Sequence, residues 1–250
     1  MTLLAELLDA RVYDLEQPRH AGLPIHPAHE PGVSLTLHRR HERDAAESRT
    51  GASALLVMAE HTGTHIDALC HQAYDGELHG GVKVTPEVQT PTGFTELGID
   101  TVAPIVRRGV LFDVAPCSAV GPAELEACDV ELREGDVALV RLGCGALYSD
   151  PERYLAAGGV TAAGSRWLAE RRPFAVGADN VAWDAIDAHD PELGSIPGHT
   201  ILIVQSGVHI VENLYLEELA ADGVREFAFV CLPLKLRGGT GSPVRPIALV

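Results

Sequence analysis

The chain has 250 residues, with 19 Lys and Arg against 35 Asp and Glu, a formal net charge of −16, and 46% hydrophobic residues. This is the composition of a globular protein, with a length that suits one domain over residues 1–250, and it excludes a disordered or collagen-like chain. So acidic a surface repels phosphate backbones and anionic lipid, which makes neither nucleic acid nor a membrane an expected partner. Five Cys without a CxxC pair, a start that carries acids rather than basic residues, and no apolar run of bilayer length point to a reducing, cytoplasmic setting.

In chain order, LLAELLDA at the start has helical spacing. A His- and Pro-rich stretch from Pro18 to Pro31 reads as an irregular surface arm, either a plain loop or a lid or subunit contact. Strands are predicted for SLTL near Ser34, ALLVMAE before His61, GVLFDV from Gly109 and DVALVRL from Asp136. TAAGSRWLAER is the clearest helix, capped by Thr161 and closed by Pro173. Strands follow at FAVGAD from Phe174, TILIV from Thr200, EFAFVCLPL from Glu226 and the terminal RPIALV, with a further helix, LEELAAD, after Tyr215. Several of these apolar runs are continuous, the pattern of strands buried on both faces. Strands outnumber helices without regular βαβ alternation, so the expected fold class is a mixed α/β layer rather than a doubly wound sheet.

The segment HTGTHIDALCH, His61 to His71, holds three of the 12 His and an Asp. Gly63 between two Thr favours an extended chain, in which residues two apart share a face. His61, His65 and Asp67 then point one way, across a position without a side chain. Two imidazoles and a carboxylate form a ligand set for a divalent ion such as Zn²⁺ or Mn²⁺, and the pattern does not choose between them. His71 lies four residues beyond Asp67, placed to carry a proton. Further donors are sought in GHTILIVQSGVHIVENL, where a strand would carry Glu212 into the core, and a buried carboxylate needs a cation. His199 and His209 compete as the accompanying donor, and spacing does not decide between them. His79, in DGELHGG, is near enough in sequence to line a substrate pocket.

Other signals carry less. GCG at Gly143 and GGTGS from Gly238 lack the context of phosphate loops and read as turns or close backbone approaches. No GxSxG or HExxH string occurs. Cys70 reads as a small buried residue, while Lys235 and Arg237 read as solvated surface charges.

HTGTHIDALCH resembles the HxGTHxDxxxH signature of the metal-dependent cyclase family, which includes bacterial kynurenine formamidase and isatin hydrolase. The resemblance continues through YDLEQP, RYLAAGGVTAAGSRWLAERRPFAVGADN, HTILIVQSGVHIVENL and FAFVCLPLKLRGGTGSPVRPIAL, in family order. It implies a swivelling β/β/α domain with a mixed sheet, assembled as homodimers or homotetramers. Residue by residue, it implies metal ligation by His61, His65 and Asp67, His199 and Glu212 at a second position, and His71 as the acid–base group. The implied chemistry is hydrolysis of a small-molecule amide, such as an aryl formamide, by a metal-activated water. Hydrolysis of an isatin-like lactam or other cyclic amide or ester stands as the alternative, with a secondary-metabolism cyclase behind it. A metal-dependent binding protein is the reading from another class.

Overall fold

The computed structural model describes residues 2–44 and 46–250. Its centre is a curled nine-stranded mixed sheet with few helices, the expected mixed α/β class. In chain order the relevant strands are β1 (Val12–Asp14), β2 (Ser34–Arg39), β3 (Ser53–Val57), β4 (His65–Asp67), β5 (Ile105–Asp113), β6 (Val137–Arg141), β7 (Ala175–Ala178), β8 (His209–Glu212), β9 (Glu226–Cys231), β10 (Gly241–Pro243) and β11 (Ile247–Leu249). The sheet runs β1-β11-β9-β5-β6-β7-β8-β4-β10. Four parallel strands, β5 to β8, make the middle, and antiparallel strands extend it on both sides.

The middle strands are continuous apolar runs because both their faces are covered. On β6, Ala138 and Val140 join one core cluster, with Phe112, Tyr154 and Trp183. Val137 and Leu139 point the other way, into a second cluster with Leu111, Val211 and Phe229. The helix Ala162–Ala169 packs on the first of these layers through Leu168, and Thr161 Oγ1 accepts a hydrogen bond from Gly164 N at 3.1 Å, as its sequence predicts. It ends at Ala169, ahead of Pro173, and Arg172 takes a left-handed conformation (φ 51°) as the chain turns toward β7.

One expectation fails. TILIV from Thr200 is not a strand but a π-helical segment, Thr200–Gln205, continuing the short helix Pro197–His199. A short apolar run has no period to separate a buried strand from a buried helix, and Pro197 at the first helical position starts the turn. The strand in ALLVMAE forms, but β2 and β3 pair only with each other and bury neither face. Leu35, Leu37, Leu55, Leu56 and Val57 are all exposed on that hairpin. Among the described residues, no helix is long and apolar enough to cross a membrane.

Candidate metal centre

The site lies where the parallel middle of the sheet meets its antiparallel extension. β4 pairs with β8 in a register that sets His65 opposite Glu212 and Ile66 opposite Val211. Directly opposed residues share a face, as do residues two apart on one strand, so His65, Asp67 and Glu212 project together. Asn213 ends β8 in a left-handed turn (φ 56°), its carbonyl accepting a hydrogen bond from Thr64 Oγ1 at 2.6 Å. That turn fixes Glu212 at the strand's end.

His61 reaches the group by another route than the extended face expected of it. Gly63 has φ 65°, so the chain bends before β4 and folds His61 back over the strand. Arg19 clamps the bend by donating to the carbonyls of Thr62 and Thr64. A side chain at Gly63 would place its Cβ 2.7 Å from the Arg19 guanidinium. His61 Nδ1 then lies 2.8 Å from Asp67 Oδ1.

His199 arrives from the start of the π-helical segment. Its Nε2 is 3.2 Å from Glu212 Oε1 and 3.8 Å from Asp67 Oδ2. Of the two later histidines, His199 faces this cluster. His209 turns away, its Nδ1 bonding the Asp67 backbone carbonyl at 2.9 Å and its ring facing Phe174. His71 stacks on His61 with ring centroids 3.9 Å apart and lies 6.1 Å from His199. His79 is placed elsewhere than expected. Its Nδ1 bonds the Val204 carbonyl at 2.9 Å and its ring packs against Gly207, so it ties the π-helical segment down rather than lining the cavity.

The residues present fit a divalent cation. His65 Nδ1 donates to the Gly63 carbonyl at 2.8 Å and His199 Nδ1 to Asp184 Oδ2 at 2.9 Å. In each neutral ring this leaves a bare Nε2 facing carboxylate oxygens, an arrangement of acceptors that needs a cation between them. Asp67 Oδ2 and Glu212 Oε1 are buried and accept no aligned hydrogen bond. Without an ion, protons must do this work. Burial opposes charge on His65, but Glu212 and then Asp67 outweigh it and raise its pKa; Asp184 and Glu212 likewise raise that of His199 well above the ordinary value. His71 behaves oppositely, its pKa pushed down to about 3 by burial, with His61 and His199 adding to the effect against the pull of Asp67.

A cavity of about 190 Å³ opens on the cluster. The arm from Pro18 to Pro31 supplies His26, Ala28 and His29 to its lining, which also includes Ala182 and Ile196. His29 stacks on His61 at 4.9 Å. The sequence marked the arm but not these side chains, and nothing in WDAIDAHD marked Asp184. Asp184 also accepts the backbone N–H of Gly198 at 2.8 Å, seating the helix that carries His199. Asp184→Asn should weaken ion binding about 10- to 100-fold, the usual cost of losing an outer hydrogen-bond partner of a ligand. Competition with a chelating dye measures this, and unchanged affinity would remove Asp184 from the support of the site.

A family model described as "Putative cyclase" matches residues 13–185. Kynurenine formamidase of Bacillus cereus is 32% identical over 192 residues, 77% of each chain. Isatin hydrolase of Roseibium aggregatum is 26% identical over 211 residues, 78% of this chain and 73% of that one. A crystal structure described as a novel cyclase superposes with a TM-score of 0.84 at 26% identity, covering 98% of this chain and 88% of the other. The family model and the Bacillus cereus relative show that the chain belongs to the cyclase family.

Proposed function

We propose that the protein is a metal-dependent amidohydrolase that cleaves the C–N bond of an aryl formamide of the N-formylkynurenine type. The observation that carries this reading is the ring of bare imidazole nitrogens and unsatisfied carboxylate oxygens beside an unanchored His71. His61, His65 and Asp67 would hold one divalent ion, with His199 and Glu212 completing a position for the same or a second ion. Zn²⁺ and Mn²⁺ both suit that donor set. A bound ion supplies Lewis-acid polarisation of the carbonyl and a water of lowered pKa.

The chain's own residues do the rest. His71 is neutral at neutral pH because burial disfavours its charge. It accepts the proton of the attacking water and returns it to the departing arylamine nitrogen. His26 and His29 line the cavity from the arm. The cavity is smaller than the roughly 300–1,000 Å³ of drug-sized pockets. This compactness favours a second reading, hydrolysis of an isatin-like lactam.

Assembly belongs to the same proposal. The β2–β3 hairpin exposes five large apolar side chains, and two strands alone are marginal in water, so this surface would be covered in a homodimer or homotetramer. Sedimentation at equilibrium tests that part; a monomer at all concentrations would overturn it.

For the reaction, purified protein is stripped with a chelator, reloaded with Zn²⁺ or Mn²⁺, and assayed on N-formylkynurenine and isatin. Ion-dependent formamide cleavage is the expected result. Cleavage of isatin alone would move the assignment to the lactam. Ion uptake without either reaction would overturn both substrate readings and favour a binding protein.

A further inference from the structure

The GGTGS segment takes no part in the function as described, yet it lies against the metal centre. Thr240 Oγ1 donates to Glu60 Oε2 at 2.7 Å, and Thr240 N donates to the same oxygen at 2.9 Å. The Thr240 carbonyl accepts Ala68 N at 2.9 Å, which pins the segment to the end of β4. On its other side the Thr240 hydroxyl lies 2.8 Å from His61 Nε2. The flanking glycines allow this approach. A Cβ at Gly241 would stand 2.6 Å from His61 Cε1 and 2.9 Å from the Ile66 carbonyl, and a Cβ at Gly239 would stand 2.6 Å from Glu60 Oε1.

These contacts fix the direction of each hydrogen bond. A hydroxyl has one proton, and a carboxylate oxygen can only accept. Glu60 takes the Thr240 proton, so Thr240 can serve His61 only as an acceptor. His61 must therefore carry its proton on Nε2. In the neutral ring this leaves Nδ1 bare, and Nδ1 is the nitrogen 2.8 Å from Asp67 Oδ1. Two acceptors face each other there unless a proton or cation lies between.

We infer that Thr240, oriented by Glu60, is a positioning residue that holds His61 in its Nε2–H tautomer and so presents Nδ1 toward Asp67 for the ion. The inference rests on the proposed metal centre, because without an ion the Asp67 carboxylate competes for a proton on Nδ1. Glu60 is then more than a distant anchor. Without its carboxylate, Thr240 is free to donate to Nε2, and the His61 proton moves to Nδ1, where it blocks ligation.

The test has two arms on the full chain. In the first, ¹⁵N shifts of His61 are read in the Zn²⁺-loaded protein, where the ion takes the place of a proton between Nδ1 and Asp67. The Nε2–H form is expected in the wild type and in Thr240→Ser, with a shift toward Nδ1–H in Glu60→Ala. A wild-type ring carrying its proton on Nδ1 would overturn the inference. In the second arm, Zn²⁺ affinity is measured by chelator competition. Thr240→Val should bind about 10- to 100-fold more weakly, with Thr240→Ser restoring wild-type affinity. Thr240→Val and Glu60→Ala binding as tightly as the wild type would overturn the positioning role. Should the wild type take up no ion, the proposed metal centre fails and this inference with it, whereas ion uptake by the wild type that Thr240→Val and Glu60→Ala leave unchanged overturns this inference alone. Matching circular dichroism of the variants guards against misfolding, and rescue by serine excludes a purely structural loss.

Discussion

His71→Ala is expected to lower kcat by about 10² to 10⁴, the usual contribution of a positioned acid–base group, while ion affinity stays near wild type. The contrast between His71 and its neighbours underlies this split. His65 and His199 each have their Nδ1 tied to an oxygen acceptor, which orients a ligand ring and sets its tautomer. The His71 side chain makes no protein hydrogen bond among the described residues and packs its ring near those of His61, His29 and His199. A group that must take and return a proton benefits from that freedom. His71 is nevertheless close enough to ligate, since one of its nitrogens lies within 4.8 Å of donor atoms on Asp67 and His199. Ion affinity therefore has to be measured beside kcat. A parallel loss of ion in His71→Ala would make His71 a ligand and remove the proton carrier from the proposed mechanism. His71→Gln keeps bulk against His61 and should lose kcat to a similar degree, which separates proton transfer from packing.

The legible parts of this site were those carried by strand periodicity. His65 and Asp67 share a face because they are two apart on β4, and Glu212 follows an apolar pair that reads correctly as the buried end of a strand. The helix from Ala162 is legible through its Thr161 cap, and the apolar runs of β6 and β7 through their burial on both faces. His61 comes into place through the left-handed bend at Gly63, whereas the residue types there also suited a straight chain. The segment after His199 is composed of the residues that favour strands, and only tertiary packing makes it helical. Asp184, Glu60 and Thr240 act through hydrogen bonds spanning 15 to 180 positions of sequence, and a single polar residue in a loop has no local pattern to betray such a partner. His29 lay within a stretch recognised as an arm, but its stacking on His61 depends on how that arm folds back.

Asp67→Asn is expected to abolish the stabilisation of the protein by divalent ions. Asp67 is the carboxylate shared by the three imidazoles, 2.8 Å from His61, 3.5 Å from His65 and 3.8 Å from His199. Against the opposing effect of burial, His71, then His61 and His65, hold its carboxyl well below the usual range in the acid region where it would take a proton, so at neutral pH it is a full anion. The Glu212 carboxylate is a second anion nearby, and its repulsion from Asp67 is what a divalent ion relieves. An ion that binds only the folded chain stabilises it by about 2.7 kcal/mol at a concentration 100 times its dissociation constant. For a chain of this size that corresponds to a rise of roughly 5–10 °C in Tm. Asn retains one carbonyl acceptor but places an amide or a neutral oxygen where the ion needs charge. The variant's Tm should therefore be flat across a Zn²⁺ or Mn²⁺ titration that raises the wild type. Glu212→Gln should show a reduced rather than absent response if His199 and Glu212 serve a second position, and an absent one if a single ion spans both carboxylates. An Asp67→Asn protein whose Tm climbs with ion as the wild type does would place the ion elsewhere, most directly on the His29, His61 and His71 group, whose donor atoms also lie within 4.8 Å of one another.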